Sequence, residues 1–274
     1  MSAGPSPPRP STFADGLRLA VGTLSVLPVR SPEVVDRRAA GVAMTAAPFV
    51  GALLGAVGAA VLGAALWAGI SPLPASVLAV GSLALLTRGL HLDGLADLAD
   101  GLGSGRPADR ALEIMKRSDI GPFGVVTLVL TLLLQVAALE EAASAGLGPV
   151  SLVTACAAGR LALTWACLPS VPPARPDGLG ATVAGTVRRG AALAVTAPVL
   201  AGVTALAYGV AGRGPYAVPW GFAAAVLIGL LAARALRRRA VRRLGGVTGD
   251  VLGALVEVAA TAALLVCAVI AGNR

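Results

Sequence analysis

Charge is scarce in this chain. Asp, Glu, Lys and Arg make up 13% of its 274 residues while 56% are hydrophobic, and a composition so far from the soluble average excludes an ordinary water-soluble domain. Cysteine and histidine are scarcer still. Cys156, Cys167 and Cys267 all fall inside apolar segments with no CxxC or Cys/His spacing, which excludes a zinc centre and leaves them as packing residues. His91 is the only histidine and Lys116 the only lysine, so that 21 of the 22 basic residues are Arg. The arginines give a formal net charge of +8, yet they stand between long apolar runs, where membrane topology accounts for them better than nucleic acid does. No repeat of 20 to 50 residues is evident, which counts against a transporter built from inverted repeats.

What is present is a succession of apolar runs. A helix needs about 20 apolar residues to cross a hydrocarbon core of roughly 30 Å. Seven stretches approach that length, at about 42-70, 73-88, 120-139, 150-169, 191-211, 215-233 and 251-271. The fourth carries Arg160 inside it. Before them, residues 1-11 are rich in Pro and Ser and read as disordered, and Phe13 to Val29 reads as an interfacial helix, because Asp15 and Arg18 are tolerated at headgroup level. No cleaved signal peptide is expected. The connectors check the count. Arg9, Arg18, Arg30, Arg37 and Arg38 precede the first span; Arg88, Arg106, Arg110, Lys116 and Arg117 lie in 88-119; Arg175, Arg188 and Arg189 in the next; and Arg234, Arg237, Arg238, Arg239, Arg242 and Arg243 in 234-250. Only Arg213 and Arg274 fall on the opposite side. By the positive-inside rule the expected fold is an all-α bundle of seven transmembrane helices with a cytoplasmic N-terminus. Residues 12-274 then form one membrane domain, with cytoplasmic active-site loops at 88-119 and 234-250.

The densest polar stretch runs from Arg88 to Gly103. On a helix Asp93, Asp97 and Asp100 are spaced i, i+4, i+7 and share one face, with no base between them. Hard oxygen ligands without a soft donor favour Mg²⁺ or Mn²⁺, completed by water and substrate phosphates, as in phosphoryl transfer. A solvated acidic loop is the alternative. His91 faces away from the aspartates on such a helix and reads either as an interfacial histidine or as a base. Residues 106-121 read as a short amphipathic helix, with Pro107 in its first turn and Gly121 at its end. Its Lys116 and Arg117 are candidate diphosphate clamps, or simply topology anchors.

A second polar signature precedes the last span. Gly245, Gly246 and Gly249 make a turn whose N-H groups could receive phosphate, with Thr248 and Asp250 beside it. Glu257 lies two helical turns beyond Asp250 on the same face at membrane depth, where an ionisable group reads as functional and pairs in principle with Arg160. The Arg run before the turn reads as a headgroup anchor.

Together these residues resemble the cobalamin synthase family. The Gly-Leu-His-Leu-Asp-Gly-Leu-Ala-Asp-x-x-Asp-Gly pattern is matched by 89-101, and the Thr-Gly-Asp-x-x-Gly-Ala-x-x-Glu pattern by Thr248 to Glu257. The likeness continues through 111-124, where this chain reads Lys116-Arg117-Ser118-Asp119-Ile120-Gly121, with acid and base exchanged relative to the family's common order. The resemblance implies transfer of the adenosylcobinamide-phosphate moiety from adenosylcobinamide-GDP to α-ribazole or its 5′-phosphate, with release of GMP and with Mg²⁺ as cofactor. His91, Asp93, Asp97 and Asp100 would then be catalytic, the three aspartates holding metal. A carboxylate or His91 would accept the hydroxyl proton, and Arg88, Lys116, Arg117, Thr248, Asp250 and Glu257 would bind substrate. The implied partners are the two substrates and the bilayer of a bacterial or archaeal plasma membrane, with no nucleic acid and with room for a homo-oligomer or for other late enzymes of the pathway. Two rivals differ. A CDP-alcohol phosphatidyltransferase would continue Asp100-Gly101 with an Ala-Arg pair, whereas Leu102-Gly103-Ser104-Gly105 follow. An ion-coupled transporter would place its polar groups along the midplane rather than on one side.

Overall fold

The computed structural model describes residues 9–211 and 217–273, and among them the only regular structure is helical. The helices are α1 (Phe13–Leu24), α2 (Arg37–Trp67), α3 (Pro72–Leu86), α4 (Leu90–Gly103), α5 (Ala108–Ile114), α6 (Pro122–Ser144), α7 (Gly148–Ala166), α8 (Gly178–Val183), α9 (Arg189–Ala211), α10 (Ala217–Leu244) and α11 (Gly249–Gly272). Six of them, α2, α6, α7, α9, α10 and α11, are long and apolar enough to cross a membrane, and the bent pair α3–α4 brings the number to seven. The expected seven-span bundle is therefore the observed one.

Local sequence sets several boundaries. Thr12 and Asp15 form a reciprocal capping box that starts α1, and Asp36 accepts from Ala39 N–H at 2.8 Å to start α2. At 12 residues α1 is about 18 Å long, too short to cross, and it packs along α2 with Phe13 and Leu17 exposed. Pro10 and Ser11 lead into it; Ser11 is buried and its N–H donates to Asp36 at 3.3 Å. The rest of the segment expected to be disordered, residues 1–8, lies outside the described residues, as do Arg213 and Arg274.

Three elements depart from the sequence reading. The 15 residues of α3 rise only about 22 Å, and the chain then turns by 87° into α4. A non-glycine residue in the left-handed region, Arg88 with φ 54°, makes that corner with Gly89 at φ 66°. The helix expected over 106–121 ends at Ile114, and Gly121 instead caps α6. The Arg run 234–243 is not a loop but the last turns of α10, whose 28 residues measure about 42 Å and overrun the apolar core.

α7 is the centre of the bundle. It has the lowest mean hydropathy of the six long helices, 1.2, yet 83% of its most apolar window is buried. Protein rather than lipid surrounds it, which is how Arg160 is accommodated. The four Arg-rich connectors gather at one end. Val26 N–H donates to Leu86 O at 2.8 Å, Arg37 to Ala184 O at 2.9 Å, Arg243 to Arg106 O at 3.1 Å, and Arg175 to Leu112 O.

Candidate active site

The two polar signatures, from opposite halves of the chain, meet where α4 crosses α11. Glycine permits the crossing. A Cβ on Gly94 would lie 2.8 Å from the Asp250 carbonyl oxygen and 2.9 Å from its Cα, and one on Gly253 would lie 3.2 Å from His91 Cα. These neighbours are backbone, so a larger residue must separate the helices. Thr248 caps α11, accepting from Val251 N–H at 3.2 Å and donating to Asp250 Oδ2 at 3.2 Å. Between the first turns of α4 and α11 lies a cavity of about 300 Å³, bordered by His91, Asp93, Arg175, Asp177, Thr248 and Asp250.

The far wall comes from the connector after α7. Val247 N–H donates to Pro172 O and Ala174 N–H to Val247 O, both at 3.0 Å, so the Gly-rich turn is zipped to residues 172–174. This spends Val247 N–H, while Gly249 and Asp250, in the opening turn of α11, border the cavity. Arg175 sits close enough to Asp250 for their charges to interact. The sequence reading used Arg175 only as a topology marker and did not single out Asp177. The signal was Arg-Pro-Asp-Gly at 175–178, a turn signature carrying two charges.

The aspartates of α4 divide by environment. Asp93 is exposed at the cavity and Asp97 is half-buried one turn on. Asp97 is pushed up to about 7, by burial first and then by the negative charges of Asp93, Asp250 and Asp100. Asp250 thus joins the α4 aspartates in one acidic field. Asp100 is buried, and accepts from Gly121 N–H at 2.7 Å and Gly124 N–H at 2.9 Å. These are otherwise orphaned amides of the first turn of α6, so Asp100 caps that helix from another one. His91, which borders the cavity, is only 3% exposed and its Nδ1 lies 3.5 Å from Arg160 Nη2.

Other expected site residues lie elsewhere. Glu257 is inside the bundle, accepting from Gln135 Nε2 at 2.9 Å, and borders an internal cavity of about 50 Å³ together with Arg160. No ion pair within 4.0 Å joins the two among the described residues, so the expected pairing is not formed, although both border that cavity. Arg88 borders a separate exposed pocket with Arg18, and Lys116 and Arg117 are exposed in the turn after α5, away from the 300 Å³ cavity.

Among the described residues no three His, Cys, Asp or Glu side chains converge into a closed metal group. Three carboxylates, Asp93, Asp177 and Asp250, nevertheless border the cavity and offer it hard oxygen donors. Such a set suits a hard divalent cation that keeps several waters and takes its remaining ligands from substrate phosphates.

An all-helical bundle that gathers carboxylates, an arginine and a helix N-terminus around one cavity at a single end is a polytopic membrane protein with a polar site. Comparison with known proteins makes the assignment definite. The chain belongs to the cobalamin-5-phosphate synthase family, whose profile matches residues 16–268. It is 50% identical to the adenosylcobinamide-GDP ribazoletransferase of Frankia casuarinae, covering 92% of this chain and 93% of that one. Proteins of the same name from a Nocardioides species and from Bradyrhizobium diazoefficiens are 42% and 39% identical, each over 92% of this chain and over 97% and 92% of their own. No solved structure matches.

Proposed function

We infer that this protein transfers the adenosylcobinamide-phosphate moiety of adenosylcobinamide-GDP to the 5′-hydroxyl of α-ribazole or its 5′-phosphate. GMP leaves, and adenosylcobalamin or its 5′-phosphate is formed. One observation carries the reading: both family signatures, from α4 and α11, border a single cavity, with Asp93 facing Asp250 and Arg175 beside them. A volume of about 300 Å³ suits a diphosphate and its immediate neighbours rather than a whole corrinoid, so the macrocycle lies beyond the mouth.

Within this reading Arg175 and the first turn of α11 bind phosphate, by charge and by backbone N–H groups. Mg²⁺ would be held by Asp93, Asp97 and Asp250, where it would neutralise charge on the diphosphate as GMP departs. A carboxylate of the same cluster accepts the ribazole hydroxyl proton, because the Nδ1 of His91 faces the Arg160 guanidinium at 3.5 Å. Asp100 serves by holding the start of α6 against α4. Lys116, Arg117 and Arg88 lie away from this cavity and take no part in the transfer step. The site end is cytoplasmic, since the Arg-rich connectors gather there, and the membrane is the plasma membrane of a bacterium or archaeon. Self-association, or association with other late enzymes of the pathway, extends the same reading to partners.

The test is turnover by purified protein in lipid, given adenosylcobinamide-GDP, α-ribazole and Mg²⁺, with an EDTA control. Metal-dependent release of GMP together with cobalamin is expected. Well-inserted protein that makes neither product would overturn the reading.

A further inference from the structure

The floor of the site cavity contains an arrangement that the transfer reaction as described does not use. His91, in the first turn of α4, borders the cavity yet is 3% exposed; Arg160, in the middle of α7, is 5% exposed directly beneath it. Arg160 Nη2 lies 3.5 Å from His91 Nδ1, and His91 Nε2 and Arg160 Nε are buried without a hydrogen-bond partner. A guanidinium has donors only and stays charged. A ring nitrogen facing it at 3.5 Å is best matched by a lone pair, which favours the imidazole proton on Nε2.

The arginine is itself fixed. It borders the same internal cavity as Gln135 and Glu257. Gln135 Nε2 donates both to Glu257 Oε2 at 2.9 Å and to Thr261 Oγ1 at 3.0 Å, which holds the carboxylate in place as the countercharge. Gly51 of α2 packs against it on the other side, where a Cβ would come within 3.1 Å of Arg160 Cβ. Four helices thus hold one cation under one imidazole.

We propose that Arg160 is a positioning residue that holds His91 in the tautomer protonated on Nε2, and that His91 serves the site as a hydrogen-bond donor to a phosphoryl oxygen of the substrate rather than as a base. The donor role rests on the transfer reaction inferred above, whereas the tautomer does not. An Nε2–H buried with no protein partner is costly until an acceptor arrives, and an anionic oxygen is the acceptor that a phosphorylated substrate supplies.

Because His91 is the only histidine, ¹⁵N-histidine labelling of the full-length protein in lipid nanodiscs yields a single imidazole to follow by NMR. The wild-type spectrum is expected to show a protonated Nε2 and an unprotonated Nδ1, and Arg160→Gln to give a mixture of tautomers. In turnover, His91→Phe and Arg160→Gln should each lose about 10²-fold in kcat, the usual effect of removing one donor to a developing negative charge. His91→Gln, whose amide N–H reaches about the same place as Nε2–H, should stay within about tenfold of wild type. A wild-type proton on Nδ1, or a tautomer unchanged in Arg160→Gln, overturns the positioning role without requiring any activity. Full turnover in His91→Phe overturns the donor role. A protein with the expected tautomer that releases no GMP refutes the transfer reading, and with it the donor role, while the positioning by Arg160 stands.

Discussion

The crossing of α4 over α11 predicts a graded response to adding one methyl group. At Gly94 the new Cβ would stand 2.8 Å from a backbone oxygen of Asp250 and 2.9 Å from its Cα. That is about 0.6 Å inside the ~3.4 Å at which contact becomes ordinary. Neither atom can rotate away, so α11 must retreat from α4 and carry Asp250 away from Asp93 and Asp97. At Gly253 the nearest atom is His91 Cα at 3.2 Å, and a shift of about 0.2 Å suffices. At Gly63, in the last two turns of α2, nothing lies within 4 Å, and alanine there should gain up to about 1 kcal/mol from helix propensity alone. Gly94→Ala should cost about 1–3 kcal/mol through overpacking, and more in rate than in stability, since a misplacement approaching 1 Å can cost about 10²-fold. The assay is GMP release in lipid alongside thermal unfolding in detergent, with membrane insertion checked for each variant. The expected order of turnover is Gly63→Ala at wild-type level, Gly253→Ala reduced severalfold and Gly94→Ala reduced most. Gly94→Ala with wild-type rate and stability would refute the assignment of this crossing as the site's frame.

Three further outcomes follow from the same geometry. Asp100→Ala strands the buried N–H of Gly124 and the part-buried N–H of Gly121 and should destabilise by about 1–3 kcal/mol, read as an earlier unfolding midpoint; an unchanged midpoint would mean that the cap contributes nothing. Arg88→Gly relieves a left-handed backbone at φ 54° and should raise stability by about 1 kcal/mol; a loss instead would show that the side chain stabilises more than its strain costs. Asp97, pushed up to about 7, gives up a proton when a cation binds, so Mg²⁺ affinity should fall as pH drops through 7, by up to about tenfold per unit. Calorimetric Mg²⁺ titrations at pH 6 and pH 8 test this, and Asp97→Asn should flatten the difference.

The spans and their parity were legible because each rests on a local quantity. An apolar run either reaches the length of a bilayer or does not, and every connector rich in Arg lies at the end where the site forms. The acidic motif was legible for the same reason: 93, 97 and 100 share a helical face whatever the tertiary structure. What that face meets is not local. Asp93 looks onto a cavity closed by α11, while Asp100, on the same stripe, meets the amides of Gly121 and Gly124, so equal spacing conceals a division between site and scaffold. The wall at Arg175 and Asp177 depends on the pairing of Pro172 and Ala174 with Val247, residues far apart in the chain that carry no mark of each other. The Arg run of α10 misled for a physical reason as well. Arginine and alanine are strong helix formers, so the charge that ends a membrane span does not end its helix, and α10 continues until Gly245 takes up φ 83°. That extension brings Arg243 to the Arg106 carbonyl and ties α10 to the connector between α4 and α5. The Arg run therefore also joins α10 to that connector, a contact that neither its charge nor its spacing could announce.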